Sequence, residues 1–247
     1  MIAITMTATL RPEILERTLK SFKEKFFKEY PCRLIINIDP IGEAISPASL
    51  IEIAHSYFPK MSYSIAKEPH LGRAFCWAWD MAMAFKDTKY LFHLEDDWEL
   101  LQEVNLNKVL DIMDNNSKLA GLRFSRWKPE AAKIKNWGIF FPWNGSFFEC
   151  PQERARQVGV CGHPTLFKMD FVKETHFLLD PLKNPEKQFH YNPEIVKVID
   201  KYNFGVYGEP GGEILIKEIG EKWRIKQGIS KKGSRAFFVE WEKLDRS

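Results

Sequence analysis

The chain is short of the features that would place it in several common classes. Its four cysteines, Cys32, Cys76, Cys150 and Cys161, are scattered with no C-x-x-C pair, which argues against a zinc ribbon and for reduced thiols in a cytosolic setting. No apolar run approaches the length of a bilayer span, and the first residues, MIAITMTATL, carry neither a basic leader nor a small-residue cleavage site. A soluble, cytoplasmic protein is the expectation. The net charge of +3 is too small to establish nucleic-acid binding, although basic residues can still cluster locally. There is no internal repeat and no low-complexity segment.

Aromatic residues, by contrast, are plentiful: 19 Phe and 8 Trp in 247 residues, enough for a substantial core. The expected organisation is a single domain over 1–247, with a first half at 1–100, a second at 101–207 and an extension at 208–247. Ile2 to Thr9 is rich in β-branched residues and predicts a strand. Pro12 suits the first turn of a helix, Glu13 complements the helix dipole, and Ile14, Leu15, Thr18, Leu19, Phe22 and Phe26 recur at helical spacing up to about Tyr30. Strands are expected over Arg33–Ile38 and Met61–Ala66, and helices over Ser49–Phe58 and Arg73–Phe85. This alternation predicts a mostly parallel α/β sheet flanked by helices, with ligands bound beyond the carboxyl ends of the strands. The later part is more irregular. Helices are expected over Asn105–Met113, around Met169–Thr175 and over Pro193–Tyr202, a strand over Leu119–Phe124, and loops with small strands over Arg126–Gln157.

The strand Tyr90–Leu94 ends in three consecutive carboxylates, Glu95, Asp96 and Asp97. Such a cluster is costly unless a cation sits among the acids, and oxygen ligands suit Mg2+ or Mn2+, which complete their shells with substrate phosphates. A solvated acidic loop is the competing account. Arg11 and Asp39 fall at strand ends as well, so the pattern points to a diphosphate-bearing ligand at one rim of the sheet.

Four stretches carry a resemblance to nucleotide-sugar-dependent glycosyltransferases of the GT-A fold, nearest the broad family 2 type. TATLRPEILERTLKSF resembles the nucleotide-contacting loop and first helix, and IINIDP the strand whose terminal Asp contacts base or ribose. HLGRAFCWAWDMA resembles the glycine-containing turn and helix before the metal motif, and HLEDDW that motif itself. The resemblance covers roughly residues 2 to 100. Further on, CGHPTLFK is similar to an acceptor-side turn, and the segment from Asn192 resembles the helix that carries the catalytic carboxylate.

The resemblance implies a Rossmann-like GT-A sheet and an inverting transferase, hexosyl or N-acetylhexosaminyl, that uses a UDP-linked sugar with Mn2+ or Mg2+. It implies donor contacts from Thr7, Thr9, Arg11, Asp39, Arg73, Glu95 and Asp96, metal ligation by Asp97 with help from Glu95, and a general base at Glu194 or Glu186. The acidic pair common in the family is missing there, so both carboxylates stay open. His163 and His190 are candidate metal or acceptor contacts, and Trp127, Trp137, Trp143 and Phe147 candidate stacking faces. Lys222, Trp223, Arg224, Lys226, Lys231, Lys232 and Arg235 make a locally basic tail that suits donor phosphates or a polyanionic acceptor. The acceptor is a glycan or lipid-linked sugar, or a hydroxymethylated base in DNA. Two alternatives stay open: a nucleotidyltransferase, although TATLRPE lacks the glycines of its usual phosphate loop, and a non-catalytic binding module.

Overall fold

The structure, a computed structural model, describes residues 1–136, 138–232 and 240–243, with backbone alone at Asn136, 229–232 and 240–243. The elements run β1 (Ile2–Leu10), α1 (Pro12–Lys25), β2 (Cys32–Gly42), α2 (Pro47–Tyr57), β3 (Met61–Ile65), α3 (Leu71–Ala84), β4 (Tyr90–Glu95), β5 (Trp98–Leu100), α4 (Leu106–Asn115) and β6 (Leu119–Phe124). There follow β7 (Lys133–Asn136), β8 (Ile139–Pro142), β9 (Phe148–Glu149), α5 (Ala155–Val158), β10 (Thr165–Lys168), α6 (Met169–His176), α7 (Pro185–Tyr191), α8 (Pro193–Ile199) and β11 (Asn203–Tyr207). The chain continues through β12 (Ile216–Glu218), α9 (Glu221–Gln227), β13 (Ile229–Lys232) and β14 (Glu240–Lys243).

One sheet of eight strands, in the order β3-β2-β1-β4-β10-β6-β11-β9, runs through the molecule. The β3-β2-β1-β4 half is all parallel, as the alternating elements require, and β6 and β11 are parallel to each other. Between β4 and β6 lies β10, antiparallel to both. The expected mostly parallel α/β sheet of GT-A type is present. Strand β10 was not expected, because TLFK is only four residues long and runs directly into α6.

Side-chain alternation in β4 divides the core into two layers. Phe92 and Leu94 enter a cluster with Phe22, Phe26, Phe27 and Phe124 beneath α1 and α4. Leu91 joins Trp79, Phe167, Phe171, Phe189 and Phe204 beneath α3, α6 and α7. Helix α1 stops at Lys25 instead of Tyr30, because Phe26 and Phe27 turn inward, 4% and 0% exposed. Helix α3 begins two residues before the expected Arg73, where His70 Nδ1 caps the amide of Arg73 at 3.3 Å. Helix α7, which the periodicity misses, starts on Asn184 as cap and Pro185 in its first turn.

The segment after Gly208 returns to the first half. Strand β12 pairs antiparallel with β5, directly behind the acidic triplet, and Ile219 N donates to Asp97 O at 2.8 Å. No helix among the described residues is long and apolar enough to cross a membrane.

Candidate active site

The carboxyl ends of β1, β2 and β4 bring Thr9, Arg11, Asp39, Asp96 and Asp97 to one rim, and all five are buried. Arg11 is the hub. Its Nε donates to Asp96 Oδ2 at 2.8 Å and its Nη2 to Asp96 Oδ1, while Nη1 lies 3.1 Å from Asp97 Oδ2. Thr9 N also donates to Asp96 Oδ2, at 2.9 Å. Burial disfavours the Arg11 charge, but Asp96, Asp97 and Glu95 more than offset it, so the guanidinium is held more firmly protonated than an ordinary arginine.

A second guanidinium reaches the same acids from the C-terminal segment. Arg224 Nη1 stands 3.3 Å from Asp97 Oδ2, and its Nη2 donates to Glu218 at 2.8 Å. Trp223 lies against the Arg11 guanidinium at 5.6 Å and donates from Nε1 to Glu43 at 2.7 Å. Gly220 is pressed so close to Asp97 and Arg11 that a Cβ would overlap both. Of the other tail residues, Lys222 and Lys226 are exposed. The side chains of Lys231 and Lys232, and Arg235 and Trp137 entirely, lie outside the described residues.

This arrangement answers the expectation that the acids need a divalent ion. The positive charge beside Asp96 and Asp97 comes from Arg11 and Arg224. Asp97 is 4% exposed with its Oδ2 already between two guanidinium groups. No group of three His, Cys, Asp or Glu is gathered for a metal among the described residues. As arranged, the residues do not fit Mn2+ or Mg2+, and no step below is routed through either.

Asp39 sits apart from the arginines. His70 N donates to its Oδ2 at 3.2 Å, while its buried Oδ1 has no partner among the described residues. Burial, with a further push from Asp96, raises its pKa to about 6 despite the His70 amide. Beside it a surface cleft is lined by Asn37, His70, Arg73 and Trp77. Arg73 is more than half exposed there and bonds Glu68 at 3.0 Å.

On the α3 side of β4 lies a cavity of about 120 Å³. Thr7, Glu95, Gly162 and Glu186 line it, with Leu71, Phe75, Trp79 and Phe189 among its apolar walls. Gly162 is needed here, because a Cβ would come within 2.8 Å of Glu95 Oε1. Of the two candidate bases, the structure brings only Glu186 to this cavity. Glu194 faces outward and pairs with Lys197 at 2.8 Å.

Sequence reasoning passed over His93, although it stands two residues before Glu95 and so on the same face of the strand. Burial lowers its pKa to about 4, so the ring is neutral at physiological pH. It also passed over Arg126, which stacks on Trp98 and Trp127 at 5.5 Å each and reaches His163 Nε2 at 3.4 Å. His163 is buried, and burial and the nearby Arg123 and Arg126 hold its pKa well below the usual value. His190 is part of α7. Trp143 packs on Phe148 at 5.0 Å and Phe147 is 3% exposed, so both serve the local core.

The fold places the protein among α/β structures of GT-A type. Solved structures of TarS from S. aureus share it. One TarS structure matches with a TM-score of 0.58 at 9% identity, covering 88% of this chain and 36% of that one. TarS 1–349 in complex with UDP matches at 0.57 and 10% identity, covering 87% and 60%. TarS 1–349 alone matches at 0.57 and 10% identity, covering 92% and 63%. The chain thus spans between about a third and just under two thirds of the length of these solved chains. At such identity the likeness shows the fold alone. No family model and no curated protein matches the sequence.

Proposed function

We propose that the protein is a glycosyltransferase that takes a sugar from a nucleoside diphosphate, UDP in the first instance, and passes it to an acceptor hydroxyl. The observation that carries this reading is the cavity at the carboxyl ends of β1 and β4, where Glu95 and Glu186 line one space beside the Arg11 and Asp39 rim. The UDP in the TarS complex supports the choice of donor. Asp39, its Oδ1 without a protein partner among the described residues, would accept from the base N–H or a ribose hydroxyl. Arg224, partly exposed beside Asp97, would meet the charge that grows on the leaving diphosphate, which is where fixed cationic donors lower the barrier most. Glu186 would take the proton of the acceptor hydroxyl as it attacks the anomeric carbon from the opposite face, giving inversion in a single displacement.

A nucleotidyltransferase finds less support, because this rim offers buried arginine–carboxylate pairs where that chemistry needs a glycine-rich phosphate loop. Two measurements test the proposal. Calorimetry with UDP should show binding that Asp39→Ala weakens, and Glu186→Gln should retain that binding while losing transfer or slow hydrolysis of a UDP-sugar. Absence of UDP binding by the folded wild-type protein would remove the reading. A panel of acceptors, glycans and DNA with hydroxymethylated bases included, then identifies the recipient.

A further inference from the structure

Strand β6 lies on the far side of β4 from the Arg11 and Asp39 rim, in the order β1-β4-β10-β6. Because β10 is antiparallel to both β4 and β6, those two strands run the same way and end at one edge of the sheet. Arg126 stands at that edge, two residues past the end of β6, with an exposed side chain. Its guanidinium is held in place nonetheless. It stacks on Trp98 and on Trp127 at 5.5 Å each, and Nη1 reaches His163 Nε2 at 3.4 Å. A guanidinium only donates, and burial with the nearby Arg123 and Arg126 keeps the His163 ring neutral, so His163 accepts without bringing a countercharge.

This cation has no carboxylate facing it. Arg11, Arg17, Arg73 and Arg224 each pair with an acid. Among the described residues neither Arg126 nor the buried Arg123, which lies 5.6 Å from the same Trp127 ring, does so. Arg123 donates instead to Val158 O at 2.8 Å and lies 3.2 Å from Cys161 Sγ. Two positive charges in one aromatic cluster, one of them away from screening water, favour an incoming anion. A guanidinium fixed between two indoles presents the fork that matches the paired oxygens of a phosphate or carboxylate.

We infer that Arg126 binds an oxyanion carried by the acceptor, so that the molecule receiving the sugar bears a phosphate or a carboxylate. The inference rests on the reading above and narrows it. A single displacement brings the acceptor hydroxyl to the anomeric carbon from the side opposite the leaving diphosphate. With the diphosphate at the ends of β1 and β2, that side is toward β6. The loop before β10 joins the two places. Trp98 Nε1 donates to Gly162 O at 3.0 Å, His163 touches Arg126, and Gly162 lines the cavity that contains Glu95 and Glu186. An acceptor anchored by its anion on Arg126 thus extends its hydroxyl toward Glu186.

The test titrates glucose, glucose 6-phosphate and glucuronate, which differ only at carbon 6, into protein saturated with UDP, so that the donor rim is already filled. By calorimetry at least one of the two anions should bind about tenfold or more tightly than glucose, the scale of a charge-assisted bidentate pair. Arg126→Gln should erase that preference, with UDP affinity and the thermal transition unchanged. Arg126→Lys keeps the charge without the fork and should recover only part of it. Lys128→Gln alters an exposed cation that pairs with Glu213 at 3.1 Å and should leave anion binding as it is. The tighter of the two anions identifies the acceptor group as phosphate or carboxylate. Equal affinity for all three sugars in the UDP-bound protein overturns the inference and leaves the transferase reading standing. So does a loss of anion binding as large in Lys128→Gln as in Arg126→Gln, which is the mark of general surface charge. Failure of UDP itself to bind removes the transferase reading, and the acceptor role of Arg126 falls with it.

Discussion

Two neighbouring regions at the end of β4 treat their polar groups in opposite ways. At the rim, Asp96 accepts from Arg11 through both oxygens and from the Thr9 amide, and Asp97 lies between Arg11 and Arg224. On the α3 side of β4, Trp79 Nε1 and His93 Nδ1 are buried with no partner among the described residues. The first region spends its hydrogen bonds on holding β1, β4 and the C-terminal segment together. The second keeps polar atoms without protein partners, which is costly unless a ligand or water meets them. Groups on either side of one strand end therefore serve different ends, and mutations should separate them.

The contrast is broken most severely at Asp96. Asp96→Ala leaves the Arg11 guanidinium buried without its bidentate partner, and removal of one member of a buried pair costs about 3–5 kcal/mol. Chemical denaturation checks this, and a loss below about 1 kcal/mol would mean that the rim is not structural. In Glu186→Gln, stability should hold while transfer falls by about 10²–10⁴-fold, the usual worth of a general base. Glu194→Gln, on the outer surface, should change transfer by less than about twofold.

The rim can also be probed by pH. Ionised Asp39 is the stronger acceptor for a nucleotide N–H or hydroxyl, and burial raises its pKa in the free protein to about 6. UDP affinity should accordingly hold above that pH and fall by up to about tenfold per unit below it, and Asp39→Asn should flatten the profile. The same shift has a consequence for stability with the opposite sign. The unfolded carboxyl loses its proton near 3.8 and the folded one near 6, so this group makes the fold less stable as pH rises through that window.

The smallest effect concerns the ion. With guanidiniums on Asp96 and Asp97, UDP affinity in excess chelator should lie within about twofold of that in Mn2+. A gain of tenfold or more in Mn2+, lost in Asp97→Ala, would show that the ion replaces Arg224 when the diphosphate arrives.

Much of the first half was legible in the chain. Strand–helix alternation through Leu94, with Pro12 and Glu13 at a helix start and Asp39 closing a strand, requires a parallel sheet, and the first four strands in the sheet order are parallel. The acidic triplet announced a compensating charge because three carboxylates together need one, and Asp96 and Asp97 are paired with arginines. The source of that compensation was hidden. Arg224 lies 127 residues from Asp97 in the chain, and no local pattern records that β12 will pair with β5. Strand β10 was missed because its four residues carry no usable period. Glu194, at an expected helix start, and Glu186, in an expected turn, both stayed open because the helix that carries Glu186 has no readable period.

The order of side chains along each element thus determined the sheet, the set of strand ends that share one rim, and the presence of His93 and Glu95 on one face of β4, since alternation and helical spacing are local properties. Which charges meet, which carboxylate lines a cavity and which points to water were decided by tertiary structure. Those outcomes depend on chain segments more than a hundred residues apart settling in contact, where burial and Coulomb attraction act between groups the sequence does not place side by side.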